Sequence, residues 1–372
     1  MFKNGMKNVV ETAQTSTIRM VALDMDGTLL GEDGKVSPRN LAALRAAETA
    51  GIEIVVATGR RHSYALRVLG SLGLHHATVL ISSNGTITRT LGSWGAGSPT
   101  VPTELIARAH LPHATALWLL SHLGEFRNAM VLTFDRVGPD GEDTRGALVV
   151  EHLEELHASI GKWMAANEPY IAHINPIETA LALDSDAPIQ MMLCGTVARM
   201  ARAEALLREL PGISASGHPS GRSGAAPSSA STGSDTLPFP AAAEPGGPSF
   251  VASPQRVGCL PLSATEPRIT LHRTEYPNRD LSILDILPAG RSKGAALLSL
   301  AATRNIDASQ ILAIGDNWND LSMLEVAGRA VLMANAPEDL KVLARERGWQ
   351  IGPSNHQDGV AEAIESALAV LC

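Results

Sequence analysis

Aromatic residues are scarce: Phe, Trp and Tyr make up 3% of the 372 residues. That excludes a platform on which exposed bases stack. Cysteine is rarer still. Cys194, Cys259 and Cys372 form no C-x-x-C pair, and an odd number cannot close into a full disulfide set. A sulfur-ligated metal is therefore not expected, and the three cysteines read as inert packing or terminal residues. Basic charge is also short, with 30 Lys and Arg against 38 Asp and Glu, a net charge of −8. No global basic footprint for nucleic acid is present. No apolar run approaches 18 residues, so no membrane span is expected. Met1–Arg19 is polar and lacks the apolar core of a secretory signal. These absences together predict a soluble, cytoplasmic protein. The chain also lacks a G-x-x-x-x-G-K-[ST] loop and an H-E-x-x-H pair, which excludes a P-loop nucleotide site and that zinc-binding pattern. The pairs His75–His76 and His110/His113 read as surface or loop histidines.

What remains is ample material for a core. Hydrophobic residues reach 45% and charged residues 18%, and a chain of this length is expected to hold two domains. Arg19–Leu23 reads as a short buried strand, followed by a turn at Asp24–Thr28. Pro38–Ala50 has helical apolar spacing, with Pro early and Gly51 just past its end. Ile52–Ala57 is a nearly continuous β-branched run, as in a parallel strand covered on both faces. A helix over 63–72 and a strand over 78–82 complete a β-α-β unit. The alternation returns in helices at 293–304, 319–327, 337–347 and 360–371, and in strands at 310–314 and 330–333. The expected fold class is α/β: a Rossmann-like, doubly wound parallel sheet core, here discontinuous over 18–86 and 289–372. An α+β cap domain is inserted at 87–288, with strands near 130–134, 188–194, 268–272 and 281–286 and helices near 153–166 and 197–210.

Two segments do not fit a core. Residues 1–17 read as a disordered tail. Within 212–255, Gly, Ser, Ala and Pro account for 32 of 44 residues and only three are charged. Such a stretch buries too little apolar surface to offset the entropy of ordering it, so a disordered low-complexity loop is expected.

Chemistry concentrates at strand ends, where open α/β sheets bind their ligands. Asp24 and Asp26 close the first strand, followed by Gly27. Two carboxylates this near can share a hard cation such as Mg²⁺, or divide the roles of nucleophile and acid/base. An Asx turn is the plainer reading. Thr58, Gly59 and Arg60 follow the second strand, where a hydroxyl and a bare backbone suit an anion. Thr58 could equally be a simple helix cap. Ser292 reads as an N-cap, which puts Lys293 in a first helical turn against the helix dipole; a bound phosphate would reverse that penalty. Asp316 leaves a strand end, and Asn319 and Asp320 open the next helix. Asp316 could complete an oxygen-ligand set with Asp24, while Asp320 could orient Lys293 or metal-bound water. Together these groups are an inventory for metal-assisted phosphoryl transfer.

The segments Asp24-Met-Asp-Gly-Thr-Leu-Leu30, Ala57-Thr-Gly-Arg60, Ser82-Ser-Asn-Gly85, Lys293-Gly294 and Gly315-Asp-Asn-Trp-Asn-Asp320 resemble the haloacid dehalogenase (HAD) superfamily. More narrowly they resemble its Cof-type sugar-phosphate phosphatases, which carry a large inserted cap. Met333-Ala-Asn-Ala336 and Asp358-Gly-Val-Ala361 resemble the same branch. The similarity covers roughly 18–86 and 289–366. It departs at Ala334, where that branch has Gly, and at His356, where it has an acidic residue. The resemblance implies Mg²⁺-dependent hydrolysis of phosphate monoesters of small metabolites (sugar phosphates or phosphorylated cofactors) through an aspartyl-phosphate. It implies Asp24 as nucleophile and Asp26 as acid/base. Thr58, Gly59, Lys293 and Asn319 would contact phosphate, and the metal would lie on the Asp24 carboxylate, the Asp26 carbonyl and Asp316. Asp320 would support the metal site from behind, and Arg60 and Asn84 would face the substrate. A phosphomutase or phosphotransferase on the same scaffold is the alternative, and a non-catalytic phosphoacceptor module a more distant one. The implied partner is a small phosphorylated metabolite, with no nucleic acid and no membrane. Oligomeric state and substrate identity are not read from the sequence.

Overall fold

The computed structural model describes residues 17–70, 72–74, 78–91, 94–95, 98–99, 103–138, 141–152, 161–182, 185–209, 213–215, 269–276 and 280–369. The expected tail lies outside them except for Thr17. So do the first eight residues of the helix expected over 153–166, and the low-complexity stretch from 216 onward.

The chain opens with β1 (Met20–Leu23), α1 (Pro38–Thr49), β2 (Glu53–Ala57), α2 (His62–Gly70) and β3 (Val79–Ser82). β4 (Ile87–Thr90) follows, then the short strands β5 (Trp94–Gly95) and β6 (Ser98–Pro99), and β7 (Glu104–Arg108). The middle of the chain supplies α3 (His113–His122), β8 (Met130–Thr133), β9 (Leu148–Val150), α4 (Gly161–Asn167) and β10 (Ile171–His173). It continues with β11 (Gln190–Gly195), α5 (Val197–Arg208), β12 (Ile213–Ala215), β13 (Ile269–Tyr276) and β14 (Leu281–Pro288). The C-terminal third holds α6 (Lys293–Thr303), β15 (Ile311–Gly315), α7 (Leu321–Val326), β16 (Arg329–Met333), α8 (Glu338–Arg347), β17 (Gln350–Gly352) and α9 (Gly359–Leu368).

The first sheet has the order β17-β16-β15-β1-β2-β3-β4-β7. From β17 to β3 every pairing is parallel. The two ends of the chain meet at β1 and β15, in register from Met20 opposite Ile311 to Leu23 opposite Ile314. From that seam β2 and β3 run one way and β16 and β17 the other, which is the switch point where a doubly wound sheet leaves a crevice. Period-two alternation sends each strand's side chains to opposite faces. Val21, Leu23, Ile54, Val56, Leu312 and Ile314 pack with α1, α2 and α9. Met20, Ala22, Val55, Ala57, Ile311 and Ala313 pack with α6, α7 and α8. Both faces are covered, so the strands are apolar throughout rather than alternating. α1 starts as its sequence predicts: the Ser37 hydroxyl accepts from the Asn40 N–H at 3.1 Å, with Pro38 in the first turn.

The first sheet extends past the boundary expected at residue 86. β4 pairs antiparallel with β3, and β7 with β4. The cause is a tight reversal at Ser83–Gly85, where Ser83, Asn84 and Gly85 have φ of 49°, 52° and 98°. Three successive left-handed residues turn the chain straight back instead of launching a crossover helix.

The second sheet has the order β10-β9-β8-β11-β14-β13-β12 and is mainly antiparallel. α3 and α5 cover one face, packing on Leu132, Leu193, Leu284 and Ile286. The opposite face presents Thr133, Gln190, Met192, Ile283 and Asp285 to a cavity shared with the first sheet. Cys194 is buried in this sheet, and burial reinforced by Asp285 pushes its thiol up to about 12. That keeps it protonated and unreactive near neutral pH.

The low-complexity segment also needs a new boundary. Ile213–Ala215 forms β12 and pairs in parallel with Ile269–Leu271, so a β-branched start to a polar run is captured by a neighbouring edge. A deletion of 220–255 leaves that pairing intact. It should keep a single cooperative thermal transition, whereas a broadened or split transition would show that the deleted residues contribute to the core.

Candidate active site

The C-terminal ends of β1, β2 and β15 converge on one crevice. Asp24 follows β1 directly, and its N–H donates to the Ile314 carbonyl at 3.0 Å. This bond carries the β1–β15 ladder one residue beyond the strand and fixes where the carboxylate points. Asp24 is 4% exposed and lines the cavity. Asp26, two residues on, sits at the same mouth. The turn between them and Thr28 requires Gly27, at φ +83°. A Cβ there would stand 2.3 Å from Asp316 Oδ2.

Lys293 lies behind Asp24, fully buried. Its Nζ donates to Asp24 Oδ1 at 2.5 Å and to Asp320 Oδ1 at 2.6 Å. The Ser292 hydroxyl accepts from the Ala295 N–H at 3.1 Å, so Lys293 does begin α6. Two carboxylates thus offset the unfavourable helix dipole. Burial would lower the lysine's pKa, but attraction to Asp24 and then Asp320 outweighs it and the net shift is upward. The other oxygen of Asp320, Oδ2, accepts from the Asp316 and Asn317 N–H groups at 3.0 and 3.1 Å. One carboxylate therefore caps the turn after β15 and anchors the lysine. Gly315 makes room for it, since a Cβ at that residue would lie 2.6 Å from Asp320 Cβ.

Asp316 leaves β15 beside Asp24. It accepts from Thr28 Oγ1 at 3.0 Å and Asn335 Nδ2 at 3.2 Å. Asn335 Nδ2 also donates to the Gly27 carbonyl at 2.8 Å, and Asn335 Oδ1 accepts from the Asn355 N–H. The segments after β1, β15, β16 and β17 are tied together by these bonds. Oxygens of Asp24, Asp316 and Asp320 all lie within 4.8 Å of one another. Burial and then Asp320 raise the pKa of Asp24 well above its ordinary value. The same two causes push Asp316 up to about 7.

The donor set fits a hard divalent cation. Four carboxylates, Asp24, Asp26, Asp316 and Asp320, face two cations, Lys293 and Arg60, so the crevice carries an excess of negative charge. Every candidate ligand is an oxygen, as Mg²⁺ prefers. Asp320 is the least available, because Lys293 and two backbone N–H groups already occupy its oxygens. Asp24 and Asp316 keep lone pairs to offer.

On the opposite wall, Thr58, Gly59, Arg60 and Asn84 line the cavity, with Asn319 near the β15 turn. Arg60 grips Asp26 with two bonds, Nε to Oδ2 at 2.6 Å and Nη2 to Oδ1 at 2.8 Å, and its guanidinium lies 3.7 Å from the Tyr64 ring centroid. The Arg60 N–H donates to Thr58 Oγ1 at 3.1 Å, which leaves the threonine hydroxyl hydrogen to be donated elsewhere. Lys293, Asp316 and Asp320 do not line the cavity; they stand behind Asp24 and the β15 turn.

A family model described as haloacid dehalogenase-like hydrolase matches residues 21–96 and 267–364. These two blocks contain Asp24, Asp26, Asp316, Asp320, Lys293 and the Thr58–Arg60 turn, whereas Gln190 and the rest of the lining from residues 133–192 lie outside them. The chain is a haloacid dehalogenase-like hydrolase. Phosphatase YwpJ of Bacillus subtilis (strain 168) is 27% identical over 353 residues, 94% of this chain and 100% of that protein. The 5-amino-6-(5-phospho-D-ribitylamino)uracil phosphatase YwtE of the same organism is 45% identical over 87 residues. That match covers 23% of this chain and only 29% of YwtE. A solved haloacid dehalogenase-like hydrolase from Bacteroides thetaiotaomicron superposes with a TM-score of 0.60. It is 23% identical and covers 94% of this chain and 99% of that one, which shows the shared fold.

Several residues of this hydrolase site were not singled out by sequence. Thr28 stands inside the motif that carries Asp24 and Asp26, and Asn335 inside Met333–Ala336, which bears a resemblance but no expected role. Asp285 and Gln190 come from the inserted segment. Asp285 accepts from Gln190 Nε2 at 2.5 Å and from Asn84 Nδ2 at 2.9 Å. Its signal was visible as one acid in the apolar run Leu281–Leu287. Arg61, also on the cavity wall, bridges to Asp143 at 2.6 Å and donates to Asn167 Oδ1 at 2.6 Å. It ties the start of α2 to the β8–β9 connection and to the end of α4. No helix among the described residues is long and apolar enough to cross a membrane.

Proposed function

We propose that this hydrolase removes phosphate from monoesters of small metabolites through a phosphorylated Asp24, with Mg²⁺ as cofactor. One observation carries the reading: Asp24 opens onto the cavity while Lys293 holds its other side and Asp26 stands two residues away at the same mouth. The cavity, of about 250 Å³, suits a small substrate. Relatives that bear phosphatase names support the same reading.

In the first half-reaction an oxygen of Asp24 attacks phosphorus, the bond to the ester oxygen breaks, and Asp26 delivers a proton to that oxygen. In the second, water attacks phosphorus, Asp26 takes its proton, and Asp24 is released with inorganic phosphate. A proton on Asp26 cannot share the fork of Arg60, so substrate binding must open that bridge. Thr58 donates its hydroxyl hydrogen to a phosphoryl oxygen. Lys293, behind Asp24 and not on the cavity, holds Asp24 Oδ1 and places its positive charge against the carboxylate that is phosphorylated. Gly59 and Asn319 border the same place. Mg²⁺ held by Asp24, Asp316 and the Asp26 carbonyl would neutralise phosphoryl charge.

The test is phosphate release from p-nitrophenyl phosphate in chelator-treated protein, before and after Mg²⁺ is restored. Activity should vanish and return. Full activity in chelator would exclude the metal's role. Gly27→Ala should act on the same site, because a Cβ forces both a strained φ and a shift of Asp316. A misplacement of about 1 Å can cost about 10²-fold. Gly27→Ala should lose activity on that scale and need more Mg²⁺ for half-maximal rate.

A further inference from the structure

The wall of the cavity opposite the nucleophile contains a polar cluster that none of the steps above uses. Asp285, Gln190 and Asn84 are 7, 5 and 2% exposed, and all three line the cavity. Asp285 is the only ionisable residue that the second sheet contributes to the described lining. It belongs to β14, whereas Asn84 belongs to the reversal after β3, so this bond joins the two sheets at the substrate space.

The cluster has a chemical direction. Burial pushes the Asp285 carboxyl up to about 7, while the hydrogen bonds from Gln190 and Asn84 pull the other way by favouring its ionised form. In that form it only accepts hydrogen bonds, so both amides turn their NH₂ groups toward it. For Asn84 this aims Oδ1 the other way. That oxygen is buried and has no hydrogen-bond partner. A Cβ placed on Gly59 would come within 3.0 Å of it, 3.3 Å of Nδ2 and 3.4 Å of Cγ, so the Asn84 amide lies flat against the Thr58–Gly59 turn proposed to hold phosphate, with Oδ1 its nearest atom. Gly59 has no side chain to cover it. The left-handed backbone at Asn84, φ 52°, holds the side chain in that place. A buried acceptor without a donor is destabilising, and a ligand that brings the donor removes that penalty.

We propose that Asp285 is a specificity-determining residue. Acting through the orientation of Asn84, it selects phosphate esters whose leaving group carries a hydroxyl or amine hydrogen close to the ester oxygen, and disfavours those with an anion there. The proposal rests on the phosphatase reading. Asp285 is a positioning residue: it presents Asn84 Oδ1 and adds negative charge behind it.

Three esters of similar size test this: glycerol 2-phosphate, with hydroxyls beside the ester carbon; isopropyl phosphate, without them; and phosphoglycolate, with a carboxylate. In the wild-type protein kcat/KM should favour glycerol 2-phosphate over isopropyl phosphate by about tenfold or more, mainly through KM, and phosphoglycolate should be poorest. In Asp285→Asn the amide of Asn84 is no longer held one way round. The glycerol-to-isopropyl ratio should fall below about threefold and phosphoglycolate should gain relative to both. Asn84→Gly, which suits the positive φ, should abolish the same preference by removing the acceptor. A wild-type ratio near one overturns the proposal without any variant, and so does an unchanged ratio in Asp285→Asn or Asn84→Gly. No phosphate release from any ester, p-nitrophenyl phosphate included, overturns the phosphatase reading itself. Release without preference overturns this inference alone.

Discussion

Asp24→Asn is expected to lower phosphate release by at least about 10³-fold while leaving the protein folded. The amide keeps the size of the carboxylate but cannot attack phosphorus, and no other described carboxylate combines its placement on the cavity with contact to Lys293. Removing the nucleophile of a hydrolase typically costs several orders of magnitude. Stability should move little or rise. Burial and Asp320 hold the pKa of Asp24 well above that of an unfolded aspartate. Its folded state therefore favours the protonated form, and the ionised form is destabilising near neutral pH. A neutral amide removes that penalty, and Lys293 keeps Asp320 as partner. Chemical denaturation should show a loss of no more than about 1 kcal/mol. An unfolded or aggregated variant would mean that Asp24 is chiefly a structural partner of the lysine.

Lys293→Met should fail in the opposite way, losing stability as well as activity. Lys293 is 0% exposed, and its Nζ lies 2.5 Å from Asp24 and 2.6 Å from Asp320. Methionine is unbranched and only one atom shorter, so packing is largely kept, but two buried carboxylates lose the charge between them. Breaking such a pair by removing one partner costs about 3–5 kcal/mol. The loss should depend on pH in a definite direction. Without the ammonium, the pKa of Asp24 rises further above its unfolded value. Folded protein then holds a proton that the unfolded chain has released, and stability falls as pH rises through the folded pKa. The gap between wild type and variant should therefore widen between pH 5 and pH 8 in urea titrations. A gap that stays constant would place the loss in packing rather than charge.

These expectations rest on parts of the molecule that differ in how legible they were. Local chemistry was readable where sequence neighbours do the work. Ser292 caps α6, Lys293 starts it, and Asp24 and Asp26 sit on one turn because Gly27 permits it. The parallel sheet was readable from apolar runs covered on both faces. β4 was not, because its antiparallel return depends on Ser83 and Asn84 adopting left-handed backbone, which neither residue type dictates. β12 was masked by the low-complexity composition that begins at its first residues. The cap contribution escaped for another reason. Asp285 and Asn84 are 201 residues apart, and nothing in either local sequence announces the other. Arg60 shows the same limit. Its position beside the phosphate loop suggests a substrate contact, yet its guanidinium is held by Asp26, a partner 34 residues away.

The central claim, a phosphoryl group carried on Asp24, can be read directly. Protein in steady-state turnover of p-nitrophenyl phosphate is quenched in acid, reduced with borohydride and mapped by peptide mass spectrometry. An acyl phosphate at Asp24 is reduced to homoserine, so the peptide containing Met25 and Asp26 should carry homoserine at position 24 only when substrate was present. Rapid phosphate release with an unmodified Asp24, or reduction at a different carboxylate, would contradict the assignment.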